Sequence, residues 1–242
     1  MSRAFKVLHF ALVIFTLCIF VASCGSGSSS GAAQYQVVQT VPDAPGNFDV
    51  SIGGKNIFTN LAFGSIAPTF GYQLVPVGSD QIEVTQAGTT VIPSTSMNLI
   101  AGTQSTVLLT GFYAAPSAVI LRDNNTAPLS GQAELRIVDA SPSAPANLDI
   151  YIVAPNVDIT QRAPTISSLQ FGQQSDYQDL TIGQSGSTLI TVIVTKTGDA
   201  SKAQYVNQIY TFYVGQIRTL VLVDASGGGA ISAIPLELND LN

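Results

Sequence analysis

Residues 37–52 read VVQTVPDAPGNFDVSI, and residues 137–152 read IVDASPSAPANLDIYI. Seven of the sixteen aligned positions are identical, and three more exchange one apolar residue for another. In each phrase an apolar stretch stops at a proline, Pro42 or Pro142. Proline has no N–H for a sheet ladder and holds φ near about −65°. A second proline, Pro45 or Pro145, follows three residues later. From Asn47 or Asn147 onward, apolar and polar residues alternate. Both phrases therefore encode a strand, a fixed corner and a second strand.

Moving outward, the correspondence persists in order. Leu61-Ala62-Phe63-Gly64 answers Leu169-Gln170-Phe171-Gly172, Tyr72-Gln73 answers Tyr177-Gln178, and Gly78 answers Gly183. AGTQSTVLLTG (101–111) answers VGQIRTLVLVD (214–224), while the offset drifts from 100 to 113. This is a duplicated unit with loop insertions. The extra length of the second copy falls at IVAPNVDITQRAPT (152–165) and TKTGDASKAQ (195–204), polar stretches that read as loops.

Within each copy the period is two. Phe48, Val50 and Ile52 alternate with Asp49 and Ser51; Leu148, Ile150 and Ile152 alternate with Asp149 and Tyr151; Ile82 and Val84 alternate with Glu83 and Thr85. Such patterning marks half-buried antiparallel strands. The runs STVLLTGF and TLVLV read as more deeply buried strands. No amphipathic helical window of useful length is present. The expected fold is all-β: two tandem antiparallel β-sandwich domains, immunoglobulin-like or transthyretin-like, over residues 35–126 and 132–240. APLSGQ (127–132) joins them, a linker short enough to pack the sandwiches end to end.

The amino terminus, MSRAFKVLHFALVIFTLCIFVASC, has a positive start at Arg3 and Lys6 and a predominantly apolar stretch from Phe10 to Ala22. A bilayer span needs roughly 20 residues, whereas the apolar region of a secretory signal takes about 7–15. Val21-Ala22-Ser23-Cys24 resembles a bacterial lipobox. That resemblance implies a cleaved lipoprotein signal peptide over 1–23 and lipid, such as palmitate, on Cys24. The anchor would then be stable, because each buried CH₂ contributes about 0.8 kcal/mol and two or three acyl chains are present. Gly25 follows the cysteine, in place of the aspartate that resembles an inner-membrane retention signal. The expected location is the bacterial cell envelope, with sorting to the outer membrane, periplasmic or surface-facing. Residues 24–34 read as a Gly/Ser tether. Its Gly27-Ser28-Ser29-Ser30-Gly31 matches G-x-S-x-G formally, but a flexible tether is not the strained strand-to-helix turn that motif requires.

Composition narrows the chemistry. The only histidine is His9, tryptophan is absent, and the two cysteines are Cys18 and Cys24. Removing 1–23 therefore leaves no histidine and a single cysteine, which carries lipid. A Ser-His-Asp triad, a Cys-His pair and a zinc site built on His or Cys are all excluded, and no intramolecular disulfide can form. The formal charge moves from −6 to 7 − 15 = −8. Scattered bases on an acidic chain leave no footprint for nucleic acid. No cofactor and no metal site is expected.

VPDAPGNFDVSI, LAFGS, the Tyr72 and VPVG segment, and the AGT-led strand together resemble the bacterial domain-of-unknown-function family 4397 (DUF4397). Its members typically read V-V-H-A-S-P-D-A-P at the corner. An aspartate-bearing strand, an L-x-F-G step, a tyrosine, a P-A-G turn and an A-G-led strand follow. The resemblance covers about residues 35–238 as two tandem copies and implies a secreted or surface-attached bacterial protein. The family's corner histidine is Gln39 here and Asp139 in the second copy. Leu180-Thr181-Ile182-Gly183 replaces the second copy's proline turn.

Several positions are candidates for binding. Asp49 and Asp149 occupy equivalent places; they read either as a repeated ligand contact or as carboxylates accepting backbone N–H groups from the proline corner. Tyr72 and Tyr177 recur as well, as a sugar-stacking surface or as core tyrosines with tied hydroxyls. Asp123-Asn124-Asn125 reads as a turn, since three adjacent residues cannot supply the six to eight oxygens that Ca²⁺ takes. Tyr205, Tyr210, Phe212 and Tyr213 put rings on both faces of one strand, which reads either as a binding face or, as expected here, as a strand buried on both sides. No spacing singles out a carboxylate pair for glycoside hydrolysis. The functional expectation is a lipid-anchored, non-enzymatic binding, adhesion or structural module that meets the membrane through Cys24 and an envelope protein or glycan through its sandwiches. An accessory subunit of an envelope assembly complex and a carboxylate-based envelope hydrolase are the alternatives.

Overall fold

The computed structural model describes residues 31–78, 81–183 and 186–237. The expected signal peptide, Cys24 and residues 25–30 of the expected tether lie outside the described residues. The first half contains β1 (Ala32–Gln39), β2 (Phe48–Ile52), β3 (Lys55–Leu61), β4 (Ile66–Ala67), β5 (Gln73–Pro76), β6 (Gln81–Gln86), β7 (Thr89–Ser96), β8 (Gln104–Thr110) and β9 (Ser117–Arg122). The second contains β10 (Gln132–Asp139), β11 (Leu148–Val153), β12 (Ile166–Leu169), β13 (Gln178–Thr181), β14 (Ser187–Lys196), β15 (Gln204–Tyr213), β16 (Ile217–Asp224) and β17 (Ile231–Glu237). The fold is all-β, and no helix occurs among the described residues. β1 begins at Ala32, so residues 32–34, which read as tether from composition, belong to the first sheet.

Each half is a two-sheet sandwich. In the first, β4-β1-β8-β9, with β5 also on β1, faces β3-β2-β6-β7; in the second, β13-β10-β16-β17 faces β12-β11-β14-β15. Pairing is antiparallel except that β1 runs parallel to β8 and β10 parallel to β16. The proline corner is where the chain changes sheet. Ala44 N–H reaches the Val41 carbonyl at 3.5 Å, and Ala144 N–H the Ser141 carbonyl at 3.1 Å. Pro42 and Pro142 thus sit second in a four-residue turn, the place their fixed φ suits.

Three large apolar cores hold these sheets together among the described residues. One lies between the sheets of the first half, with Tyr35, Val37, Phe48, Val50, Val84 and Leu109. A second, with Leu135, Ile137, Leu148, Val194, Phe212 and Leu220, lies between the sheets of the other half. The third joins the halves: Val38, Leu108 and Leu121 meet Val138, Ala140, Val221 and Val223. The expectation of end-to-end packing is thereby corrected. The β1- and β10-containing sheets pack face to face, and the molecule is four sheets deep. β16 is buried at every position from Ile217 to Asp224, because one of its faces meets the second core and the other meets the third. The consecutive apolar residues 107–109 and 220–223 are the sequence trace of strands covered on both sides.

The interface repeats itself under exchange of the halves. A Cβ placed on Gly64 would lie 3.5 Å from Ile234 of β17, and one on Gly172 would lie 4.0 Å from Val119 of β9. These are the glycines of the L-x-F-G steps, both at positive φ. β9 and β17 are themselves equivalent strands. The two copies therefore pack as the subunits of a two-fold dimer do, each offering the same patch to the other.

Candidate functional site

The side chains richest in chemistry gather where the halves meet. Arg136 leaves β10 toward the interface and is fully buried. Its Nη2 donates to Asp123 Oδ1 at 2.7 Å, Nε to Thr219 Oγ1 at 3.0 Å, and Nη1 to the Arg122 carbonyl and Gln174 Oε1, each at 2.9 Å. Its guanidinium carbon lies 4.8 Å from the centre of the Tyr177 ring. Asp123 Oδ2 accepts from the Tyr72 hydroxyl at 2.9 Å and from Thr106 Oγ1 at 2.7 Å. Asn125 Nδ2 donates to the Tyr72 oxygen, and Asn124 N–H to the Tyr177 oxygen, both at 3.2 Å.

Tyr72 and Tyr177, read as a recurring pair, thus converge on one buried ion pair from opposite halves. Both are half-buried. Burial pushes the Tyr177 hydroxyl above its usual range, opposed by the adjacent Arg136 charge. Asp123-Asn124-Asn125 is more than a turn: Asp123 accepts from Arg136, Tyr72 and Thr106, while Asn124 and Asn125 donate to the two tyrosine oxygens, and together they form one side of a clamp across the two halves. A buried ion pair is tolerated only when its remaining lone pairs and protons are also satisfied, and here the threonines, tyrosines and carbonyls provide that.

Asp49 and Asp149 lie apart from this clamp, on the outer sheets. Asp49 Oδ1 accepts the Asn60 N–H at 2.8 Å, and Asp149 Oδ1 accepts the Ser168 N–H at 3.1 Å and the Thr197 hydroxyl at 2.7 Å. Asn60 and Ser168 have φ of 60° and 55°, and the pairing register shifts opposite each aspartate. The carboxylates hold β-bulges in β3 and β12. They do accept backbone N–H groups, but from the neighbouring strand and not from the proline corner. Beside Asp49 lies an open cleft of about 530 Å³ lined by Pro45, Asn47, Asn60 and Gln86. Beside Asp149 is a cleft of about 300 Å³ whose lining includes Arg162, Lys196 and Lys202.

The second cleft differs because the insertions of the second half fold over it. Ile159 packs on Tyr151 and Ile193. Lys202 Nζ donates to the Ile159 and Arg162 carbonyls, each at 2.6 Å, and stands 4.8 Å from the centre of the Tyr151 ring.

A third cluster was not apparent from sequence. Asp139 and Asp224 are both fully buried near the second corner. Asp139 Oδ1 accepts the Ser141 N–H at 3.0 Å, while Asp224 accepts the Ser141 hydroxyl and, at 3.2 Å, the Ser143 N–H. Burial, with the Asp224 charge adding to it, pushes the Asp139 carboxyl up to about 6. In the first half Gln39 does the same job with a neutral amide, its Oε1 accepting Val41 N–H at 2.6 Å. These are the positions of the corner histidine in the resemblance noted above. Among the described residues, no group of three or more His, Cys, Asp or Glu side chains gathers as a metal site would require.

The aromatic strand β15 is not buried on both sides. Phe212 lies in the core, while Tyr205 and Tyr213 are exposed on an edge strand.

Comparison with known families gives one match: the model described as "Domain of unknown function (DUF4397)" aligns with residues 33–151. The matched stretch runs from the first strand through the second corner and includes the first copy of the repeated phrase and all but the last residue of the second. No curated protein matches the chain.

Proposed function

We propose, from the match of residues 33–151 to the DUF4397 family model, that the chain is a lipid-anchored envelope module that binds or scaffolds and does not catalyse. The observation that carries this reading is the commitment of its polar residues to architecture. Tyr72, Tyr177, Asp123 and Arg136 lock two sandwiches into one body, and Asp49 and Asp149 hold bulges. A four-sheet body carried on a Gly/Ser tether suits presentation of surfaces at a distance from a membrane. The clefts beside Asp49 and Asp149 are the contact surfaces we assign to an envelope protein or glycan. Cys24 is the proposed lipid attachment, and the outer membrane the proposed location.

Protease treatment of intact and lysed cells, combined with labelled palmitate, tests the proposal. Label on the wild type and none on Cys24→Ser is expected. Loss of the protein from intact cells would direct ligand screens to glycans and surface proteins; protection until lysis would direct them to envelope partners. Turnover of a glycan or peptide by the purified protein, abolished by a single Asp or Glu substitution, would overturn the non-catalytic reading.

A further inference from the structure

The edge strands of the four sheets are unequal in a way that singles out one of them. An unpaired strand edge is a template for another chain, and proteins blunt it with proline, charge, bulges or brevity. Here β5 ends in Pro76, β7 carries Pro93 and β17 carries Pro235. β3 begins with Lys55 and bulges at Asn60, β9 ends in Arg122, and β4, β12 and β13 have four residues or fewer. β15 is ten residues long, QYVNQIYTFY, with no proline and no charge. Its counterpart in the first half is β7, where Pro93 interrupts the same edge.

The free groups on this edge can be placed. Val214 N–H bonds to the Gly186 carbonyl, and β15 pairs with β14 without irregularity from Val206↔Val194 to Tyr213↔Ser187. The N–H and C=O groups of Val206, Gln208, Tyr210 and Phe212 therefore face β14. Those of Asn207, Ile209 and Thr211 face away, and among the described residues no strand pairs with them. The side chains of Asn207, Ile209, Thr211 and Tyr213 share the outer face, beside Leu189. Leu189, Ile209 and Tyr213 are 51%, 49% and 57% exposed.

We infer that β15 pairs antiparallel with β15 of a second copy of this chain, about a two-fold axis at Ile209. The sequence is self-complementary in that register. Ile209 meets Ile209 and Asn207 meets Thr211, all within the stretch that pairs regularly with β14. Apolar and amide–hydroxyl cross-strand contacts each stabilise an antiparallel pair. No like charges oppose one another, although the whole chain is acidic. Residues 207, 209 and 211 present their backbone groups outward at the spacing that antiparallel pairing needs.

Sedimentation equilibrium of the full chain in a density-matched neutral detergent tests this, with Ile209→Lys and Ile209→Pro beside the wild type. Lysine sets two like charges opposite each other. Proline removes only an N–H that β14 does not use, a placement edge strands tolerate. The expected result is a wild type that doubles its mass with rising concentration and two variants that stay monomeric with an unchanged circular dichroism spectrum. A monomeric wild type throughout the micromolar range would overturn the inference, as would a dimer that survives both substitutions. Capture of an unrelated extended peptide by a monomer would make that peptide the occupant and also overturn it.

Discussion

Gln36 and Arg136 occupy the same place in the two halves. Each lies on the first strand of its copy, opposite a threonine of the parallel neighbour, and donates to that hydroxyl: Gln36 to Thr106 at 2.8 Å, Arg136 to Thr219 at 3.0 Å. Duplication supplied two equivalent polar positions facing one interface. Only the second carries a charge, and Asp123 of the first half answers it.

Asp123→Ala should therefore destabilise the protein by about 3–5 kcal/mol, since it leaves Arg136 buried without its counter-charge. At this size each kcal/mol lowers Tm by roughly 2–4 °C. Asp123→Leu combined with Arg136→Met should recover a large part of the loss, because a buried pair exchanged for apolar residues of similar volume is often near neutral. Thermal melts of the single and double variants give the comparison. A single variant within about 1 kcal/mol of wild type would show that the clamp contributes little.

Asp139 predicts a pH dependence of the opposite sense to an ordinary paired carboxylate. Its folded value of about 6 lies above the ordinary aspartate value of 3.8, so between these pH values the folded state holds more protons than the unfolded one. Stability then falls as pH rises through that window. Asp139→Asn keeps an oxygen for Ser141 N–H and removes the charge, as Gln39 does naturally in the other half. It should be more stable than wild type at neutral pH by up to about 3 kcal/mol, given 1.36 kcal/mol per unit, and the difference should disappear near pH 4. Urea denaturation of both proteins across that range would reveal it; a difference independent of pH would refute it.

The sandwiches were legible because half-buried strands write period two into the sequence, as at 48–52 and 81–86, and because the corner occurs twice. Burial of 105–110 and 219–223 on both faces was legible from consecutive apolar residues of both parities, Val107-Leu108-Leu109 and Leu220-Val221-Leu222-Val223. What covers the second face was not: Val38 and Val138 look the same whether they meet each other or a separate partner, so face-to-face packing had no local signal. Arg136 left only a weak one, because on β10 it shares its parity with the polar Gln132 and Glu134 as well as with the apolar Val138. Tyr72 and Tyr177 were recognisable as a pair, yet their meeting at the Arg136–Asp123 ion pair depends on a long-range arrangement that repeat alignment does not contain. In β15 the rings on both faces suggested full burial, because a strand's position at a sheet edge is a property of topology.

Asp49→Ala and Asp149→Ala should each lower stability by about 1–2 kcal/mol, the range for losing a hydrogen bond to a charged acceptor at a partly exposed site. Each leaves a bulge N–H in the left-handed region without its carboxylate. Replacing Asn60 or Ser168 by glycine in the same background should restore part of the loss, since glycine adopts positive φ without a Cβ penalty. Were the aspartates only ligand contacts, both alanine variants would melt with the wild type.

The shared third core makes a prediction about cooperativity. Two sandwiches joined only by a linker would unfold in two steps, each set by its own core. Here Leu108 of the first half packs with Val138 and Val221 of the second, and burial of such side chains stabilises by roughly 1.5–3 kcal/mol apiece. Neither half can open without exposing the inner face of the other. Leu108→Ala should cost about 2–5 kcal/mol and move a single transition to lower temperature while leaving it single. Calorimetry distinguishes the cases: a calorimetric enthalpy equal to the van't Hoff value in both proteins is expected. A variant that splits into two transitions would mean that the halves are stable independently and that the third core is only a contact surface.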